Sequence, residues 1–485
     1  MTKTTMSVLS RDDKQKIHQA ALSILEETGI KVESPEVLDM LAKAGAKVDQ
    51  GSQRAWLDER LVSAALATVP KKVAICSRGG VDFSIPDDRV QLISPDGQPP
   101  AVLDLEQGGK RPSTLKDLKD LVVLADALPE VDYIWPPVVA TDMPSDRSTY
   151  YEFLVALAYS SKHIQHGATS PEEARFQVEV CAEVVGGRDE LARRPIMSDV
   201  CTPISPLRYD KGEAEALVVL ARASVPLVHL SMAIAGSATP VTLAGSMAVI
   251  AAENLSGITM SQIAKPGAPG LYSSFSGPTD LRTGVFLCGA PEGILLDSAA
   301  VEMARYYGLP SCAGGPSNSS RSLLTESGYQ SGMTAMASIL VGADMIVGLG
   351  GMDRAAMISP EKMIMDCEAW RWLERLRAGI EIDDDRLALE AIKRQGPGGL
   401  FLSDPHTRKF MRQDLMVPQI TAHHPQTLTK PSEDELLMYA MRKRKEILAS
   451  HKPQLLSGEV TGKIDEIAKR HGIVLPGGGR IFEHA

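Results

Sequence analysis

Between Pro310 and Ser322 the chain reads PSCAGGPSNSSRS, with one thiol, five hydroxyls and two adjacent glycines. Cys312 or one of these serines could act as a nucleophile if a base lies close. No histidine is near in sequence, so the base would have to be a distant one such as His229. The other use for so little bulk is room for something large. A second candidate is Lys265 in KPGAPG, the residue type that forms a Schiff base with a carbonyl substrate. His163 and His166 in HIQH are three apart on a strand, hence on opposite faces, which argues against a shared metal. His423 and His424 precede a proline and read as solvated, and LPGGGR near the C-terminus reads as irregular. Neither a GxSxG elbow, a GxGxxG turn nor a P-loop occurs.

These residues need elements to position them. The N-terminal stretch predicts a helix capped at Ser10 and stopped at Gly29, then a second with Ser34 as cap and Pro35 in its first turn. VAICS, VDFSI and VQLIS follow as short β runs. From about Ser113, apolar runs alternate with amphipathic stretches. The predicted strands are VDYIWPPVV, HIQHGA, PIMSDVCT, PLVHLSM, GITMSQI, LYSSF, LPSCAGG and ADMIVGLGG. Cap-and-proline signals at Ser170-Pro171, Thr239-Pro240 and Ser359-Pro360 mark helices between them. Buried parallel strands joined by helices fit an α/β fold, a (β/α)8 TIM barrel. We expect an N-terminal α+β extension over 1–112, the barrel over 113–378 and a C-terminal helical extension over 379–485.

The chain has 485 residues, 44% hydrophobic and 23% charged, with a formal net charge of −10. That balance disfavours nucleic acid and suits a neutral or cationic ligand. The six cysteines show no CxxC spacing and read as reduced, buried thiols of a cytoplasmic protein. The N-terminal residues lack the apolar core of a signal peptide, and no run is long enough to suggest a membrane span. In such a barrel, chemistry sits at the carboxyl ends of the strands. That rule selects Asp142, Asp199, Cys201, Thr202, His229, Gln262, Lys265, Asp280, Arg282, Asn318, Arg321, Asp353 and Arg354.

Several segments together resemble one family. They are IHQAALSILEETGIKVESPEVLDMLAKAGAKVD, LDLEQGGKRPSTLKDLKDLVVLADALPEVD, GSATPVTLAG, SGITMSQIAKPGAP and DLRTG, followed by GAPEGILLDSAAVEMARYYGLP and ESGYQSGMTAMASILVGADMIVGLGGM. In this order they are similar to the trimethylamine methyltransferase family. The resemblance implies methyl transfer from a methylated amine to the Co(I) corrinoid of a separate protein, and self-association of the chain. It implies no cofactor or metal bound by the chain itself. The founding members carry pyrrolysine near the seventh strand. The matching region here is SCAGGPSNSS, where Gly314, Gly315 and Asn318 would leave a wide mouth. Members without pyrrolysine act on quaternary amines such as glycine betaine, proline betaine or carnitine. A tertiary-amine demethylase, a lyase using Lys265 and a non-catalytic binder of methylated amines are the alternatives.

A quaternary ammonium is held by aromatic faces and carboxylates. The aromatic candidates are Trp135, Tyr209, Tyr272, Phe275 and Tyr329, with Asp199 and Asp280 as charges. Gln262 stands with them at the mouth, and a substrate carboxylate would meet His229, Arg282, Arg321 or Arg354.

Overall fold

The computed structural model describes residues 4–418 and 435–474. His423, His424 and LPGGGR lie outside the described residues. Eight parallel strands form the barrel: β1 (Leu92–Pro95), β2 (Tyr133–Ile134), β3 (His163–His166), β4 (Met197–Cys201), β5 (Leu227–Ser231), β6 (Gly270–Ser274), β7 (Ser311–Gly314) and β8 (Met345–Leu349). They run in chain order from β2 to β8, and β8 pairs with β1. The seam between β1 and β2 is closed by Asp132. Its N–H donates to the Ile93 carbonyl at 2.9 Å, and its carboxylate accepts from the Ile93 N–H at 2.9 Å. A carboxylate thus replaces a ladder bond where two short strands diverge.

Register sets what faces the lumen. Leu230 aligns with Ser273, Ser273 with Cys312, Cys312 with Met345 and Met345 with Leu92. These residues alternate with wall-facing ones such as His229 and Tyr272, as the pleat demands. The lumen core joins Tyr133, Val200, Val228, Leu230, Leu271 and Val347, with Trp135 and Phe275 packed on it. Val73–Ile75 and Phe83–Ile85 pair antiparallel, and Val73, Ile75 and Ile85 pack into the same core. His163, facing inward, bonds the Cys76 carbonyl at 2.8 Å and Ser198 Oγ at 2.9 Å. The hairpin therefore stoppers the amino-terminal end.

Two expectations change. GITMSQI is not a strand; it lies within the helix Leu243–Ala264. Seventeen of that helix's 22 residues are buried, so no polar face betrays its period. The helix is long and apolar enough to cross a membrane by length and composition alone, but it is packed inside the fold. VQLIS, expected in the extension, is the first barrel strand, so the barrel begins upstream of residue 113. The count of eight survives because one strand is lost and one gained.

Caps account for the boundaries. Ser10 and Asp13 bond reciprocally at the first helix, and Ser34, Ser170 and Ser359 each accept a backbone N–H with proline in the first turn. At the predicted Thr239-Pro240 start the helix begins later, at Leu243. The C-terminal extension is helical as expected: Glu435–Ser450 ties to the barrel through Arg444 and Glu361 at 2.6 Å, and Gly458–Arg470 lies along Pro171–Val185.

Candidate functional site

The carboxyl ends of the strands are capped by loops and by two small sheets. Ala101–Asp104 and Gly109–Pro112 pair with the hairpin Gly351–Met352 and Met357–Ile358; a second ribbon joins Ile234–Ala235, Gly277–Asp280 and Val285–Phe286. Below them, β2 and β6 stand four strands apart in a ring of eight, on opposite walls. Trp135 follows β2 and Phe275 follows β6, and both rings rest on the lumen core. They bound its upper end from two sides.

Trp135 is held in place by backbone economy at Gly97. A Cβ there would fall 2.3 Å from Trp135 Cδ2 and 2.4 Å from Cε2, so the indole lies directly on the main chain. The indole N–H donates to Gln98 Oε1 at 3.3 Å, and Gln98 Nε2 donates to Glu152 Oε2 at 2.7 Å. Glu152 is buried on the helix Ser148–Tyr159, and burial pushes it up to about 7. His166 stands 4.0 Å from the same carboxylate, on the outer face of β3, and burial pushes it down to about 4. At the other wall, Asp297 accepts from Ser274 Oγ at 2.8 Å and the Ser276 N–H at 2.9 Å, and burial raises it to about 7. Asp96, after β1, accepts from Ser317 Oγ at 3.0 Å and is raised by burial to about 6.

The small-residue stretch is not an open space. From Ser311 to Ser320 every residue except Ser319 is buried. A Cβ on Gly314 would meet Phe275 at 2.7 Å and Asp297 at 3.1 Å, and one on Gly315 would meet Ile346 at 2.4 Å. The glycines let the Phe275 ring and the β8 wall close onto β7. Asn318 is turned into its own loop, donating to Ser331 Oγ at 2.8 Å and Ser327 Oγ at 3.1 Å. Cys312 faces the lumen as a protonated thiol, its value pushed up to about 12 by burial. The serines bond to loop partners: Ser317 to Asp96, Ser319 to the Cys288 carbonyl, Ser320 to the Ser322 carbonyl.

Of the predicted site residues, Trp135 and Phe275 stand at the mouth, whereas several others do not. Asp199 is on the outer face of β4, where it accepts from the Ala168 N–H at 3.2 Å; burial holds it well above the carboxylate range. His229 lies behind β5 against Gly257, where a Cβ would come within 2.6 Å of its ring, and burial pushes it down to about 3. Tyr209 bonds the Glu253 carbonyl and Ser256 at 3.0 Å, behind the barrel beside the N-terminal sheet. Tyr272 is also wall-facing. Gln262 and Lys265 belong to the end of the helix Leu243–Ala264, at the amino-terminal end of the barrel. Gln262 Nε2 donates to the Ala268 carbonyl at 2.7 Å, and Lys265 Nζ to Ser224 Oγ at 2.6 Å. The mistaken strand placed both at the wrong end, and a Schiff base at Lys265 would form away from the mouth.

Asp280 and Arg282 pair with each other at 3.0 Å on the tip of the second ribbon. Tyr329 is 55% exposed on the helix Thr325–Val341. Asp353 gathers Lys110 at 2.8 Å, Arg321 at 3.1 Å and Arg354, which ties three rim loops together. Asp142 caps the helix Leu115–Ala127 through the Leu115 N–H at 2.7 Å. Cys201 is buried and the Thr202 N–H donates to Glu213. Among the described residues no three His, Cys, Asp or Glu side chains converge to hold a metal ion.

Sequence reasoning missed Asp96, Gln98, Glu152, Gln165 and Asp297. Asp96 and Gln98 follow β1, which the sequence places as a β run in the extension rather than in the barrel. Gln165 carried a signal: in HIQH it shares the face of His163, two residues along.

The comparisons agree with this architecture. The family model "Trimethylamine methyltransferase (MTTB)" matches residues 1–473. A glycine betaine methyltransferase of Desulfitobacterium hafniense (strain Y51) is 30% identical over 468 residues, 96% of this chain and 97% of that protein. A trimethylamine methyltransferase of D. hafniense (strain DSM 10664 / DCB-2) is 27% identical, covering 95% of this chain and 93% of its own. The crystal structure of the Methanosarcina barkeri monomethylamine methyltransferase superposes with a TM-score of 0.52 over 94% of this chain and 90% of that one, at 14% identity, a likeness of fold. A match this long, on a closed eight-stranded barrel, shows that the chain belongs to the trimethylamine methyltransferase family.

Proposed function

We propose that this enzyme moves a methyl group from a quaternary amine of the glycine betaine kind to the reduced cobalt of a corrinoid carried by a separate protein. The observation that carries the reading is the pair of aromatic rings, Trp135 and Phe275, at the top of the lumen from opposite walls. A tetraalkylammonium between such faces gains about 0.5–2 kcal/mol per ring. Carboxyl groups of Glu152, Asp96 and Asp297 lie around them, each raised by burial and each bonded.

The chemistry asks little more of the chain. The methyl leaves nitrogen without its bonding pair, and that pair stays on nitrogen as the lone pair of a neutral tertiary amine. No proton is required, so no general acid is needed. Position and a desolvated cation supply the acceleration. The corrinoid, when its carrier docks, supplies the electron pair that accepts the methyl. A buried Cys312 and a Lys265 at the far end are suited to neither acyl nor Schiff-base chemistry. The glycine betaine methyltransferase relative favours a betaine over trimethylamine.

The test incubates the protein with glycine betaine, proline betaine, carnitine or trimethylamine, together with its corrinoid protein in the reduced state. Demethylated amine is measured by mass spectrometry. Product from a betaine supports the proposal. Product from trimethylamine alone, or from none of the four, overturns it.

A further inference from the structure

Gln165 sits on the lumen face of β3, two residues beyond His163, whose partner in register is Tyr133; Trp135 is two residues beyond Tyr133. Gln165 and Trp135 are therefore neighbours on the inner wall. Gln165 is fully buried, and neither its Nε2 nor its Oε1 has a hydrogen-bond partner. Buried amides are almost always paired, and leaving one unpaired costs about 1–3 kcal/mol. On the same face of the strand His163 bonds at both nitrogens, while on the outer face His166 bonds Gln177 through Nδ1 at 3.1 Å and leaves its Nε2 unpaired. Other buried side chains leave single atoms unpaired, among them Gln91 Oε1, His229 Nε2 and Ser273 Oγ, but among the described residues Gln165 is the amide with both ends unpaired, and it stands beside the half-buried indole at the mouth.

We infer that Gln165 is a specificity-determining residue whose amide hydrogen-bonds the carboxylate of the substrate, beneath the trimethylammonium held by Trp135 and Phe275. This rests on the proposed betaine substrate and deepens it. The geometry suits a small zwitterion, with its cation toward the rings and its anion toward the amide. Access passes Trp135, which is half-buried, rests on the lumen core and Gly97, and makes one 3.3 Å bond to Gln98. The positive charge that would otherwise recognise a carboxylate is committed elsewhere: Arg282 to Asp280, and Arg321 and Arg354 to Asp353.

Gln165→Met keeps the length of the side chain and removes its polar atoms. A residue held for function but unpaired in the fold has a distinctive signature on this change. The melting temperature rises by about 1–3 °C, because an unsatisfied amide is gone. Affinity for glycine betaine, by calorimetry without any corrinoid protein, falls about 10- to 100-fold, the range for a hydrogen bond to a charged group. Affinity for tetramethylammonium, which has no anionic end, changes less than twofold. Gln165→Glu, as a second variant, places a carboxyl against the substrate's own and weakens betaine at neutral pH. A lower melting temperature for Gln165→Met, or an unchanged preference for betaine over tetramethylammonium, overturns the inference while leaving the proposed substrate standing. A wild-type protein that binds neither compound overturns the proposed substrate and the inference with it.

Discussion

Gly97→Ala moves Trp135 without touching it. The added Cβ would lie 2.3 Å and 2.4 Å from two atoms of the indole, where ordinary carbon contacts sit at about 3.5–4 Å. Gly97 carries no positive φ, so the backbone accepts alanine and the strain falls on the ring. A fully enclosed ring would make such overpacking cost about 1–3 kcal/mol. Trp135 is half-buried, so it swings outward and stability falls by the lower part of that range. Swinging breaks the bond to Gln98 and removes one cation–π face worth about 0.5–2 kcal/mol, a 2- to 30-fold weaker Kd for glycine betaine. Calorimetry reads the affinity. Tryptophan emission reads the ring, shifting to the red against a background of three other tryptophans, Trp56, Trp370 and Trp372. Trp135→Leu shows the same loss of affinity and, combined with Gly97→Ala, adds nothing further. Unchanged affinity and unchanged emission in Gly97→Ala would refute the placement of Trp135 as a wall of the cation site.

Other outcomes follow from the same geometry. Gly314→Ala drives a methyl to 2.7 Å from Phe275 and lowers both melting temperature and betaine affinity, with stability down by about 1–3 kcal/mol. Lys265→Ala retains full methyl transfer and yields no borohydride-trapped adduct with any substrate, because Lys265 serves the Arg222–Ser224 turn at the far end. Glu152 and Asp297 have folded-state values raised to about 7, so they are neutral in the fold while the unfolded chain ionises. Their contribution is fully present below about pH 4, declines as pH rises toward 7, and levels off above it; Glu152→Gln and Asp297→Asn flatten that decline in a melting-temperature series. Leu281 is 70% exposed at the tip of the rim ribbon near Val241, an apolar point on the face where the proposed function requires a corrinoid carrier to dock. Leu281→Asp raises KM for the carrier several-fold in the transfer assay and leaves calorimetric betaine binding unchanged.

The sequence by itself determined most of the helix starts, most of the (β/α) alternation and the family. Serine–proline caps at Ser34, Ser170 and Ser359 are local chemistry, bonded to nitrogens three residues away, and local chemistry is readable without a fold. HIQH separated its histidines onto two faces by pleat alone. What the tertiary structure decided was depth and direction. The helix Leu243–Ala264 is buried on nearly all sides, which erases its amphipathic period; misreading part of it as a strand carried Gln262 and Lys265 to the wrong end of the barrel. Asp199 and His229 lie on true strands yet face the wall, because their parity relative to the lumen is set by register with neighbours far along the chain. Gly314 and Gly315 were legible as small, but small residues serve either open space or close contact. Only the position of Phe275, Asp297 and Ile346 above them shows that here it is contact. Gln165 became conspicuous for the same reason: an amide is unremarkable in a sequence, and its missing partners exist as a fact only once every neighbour has been placed.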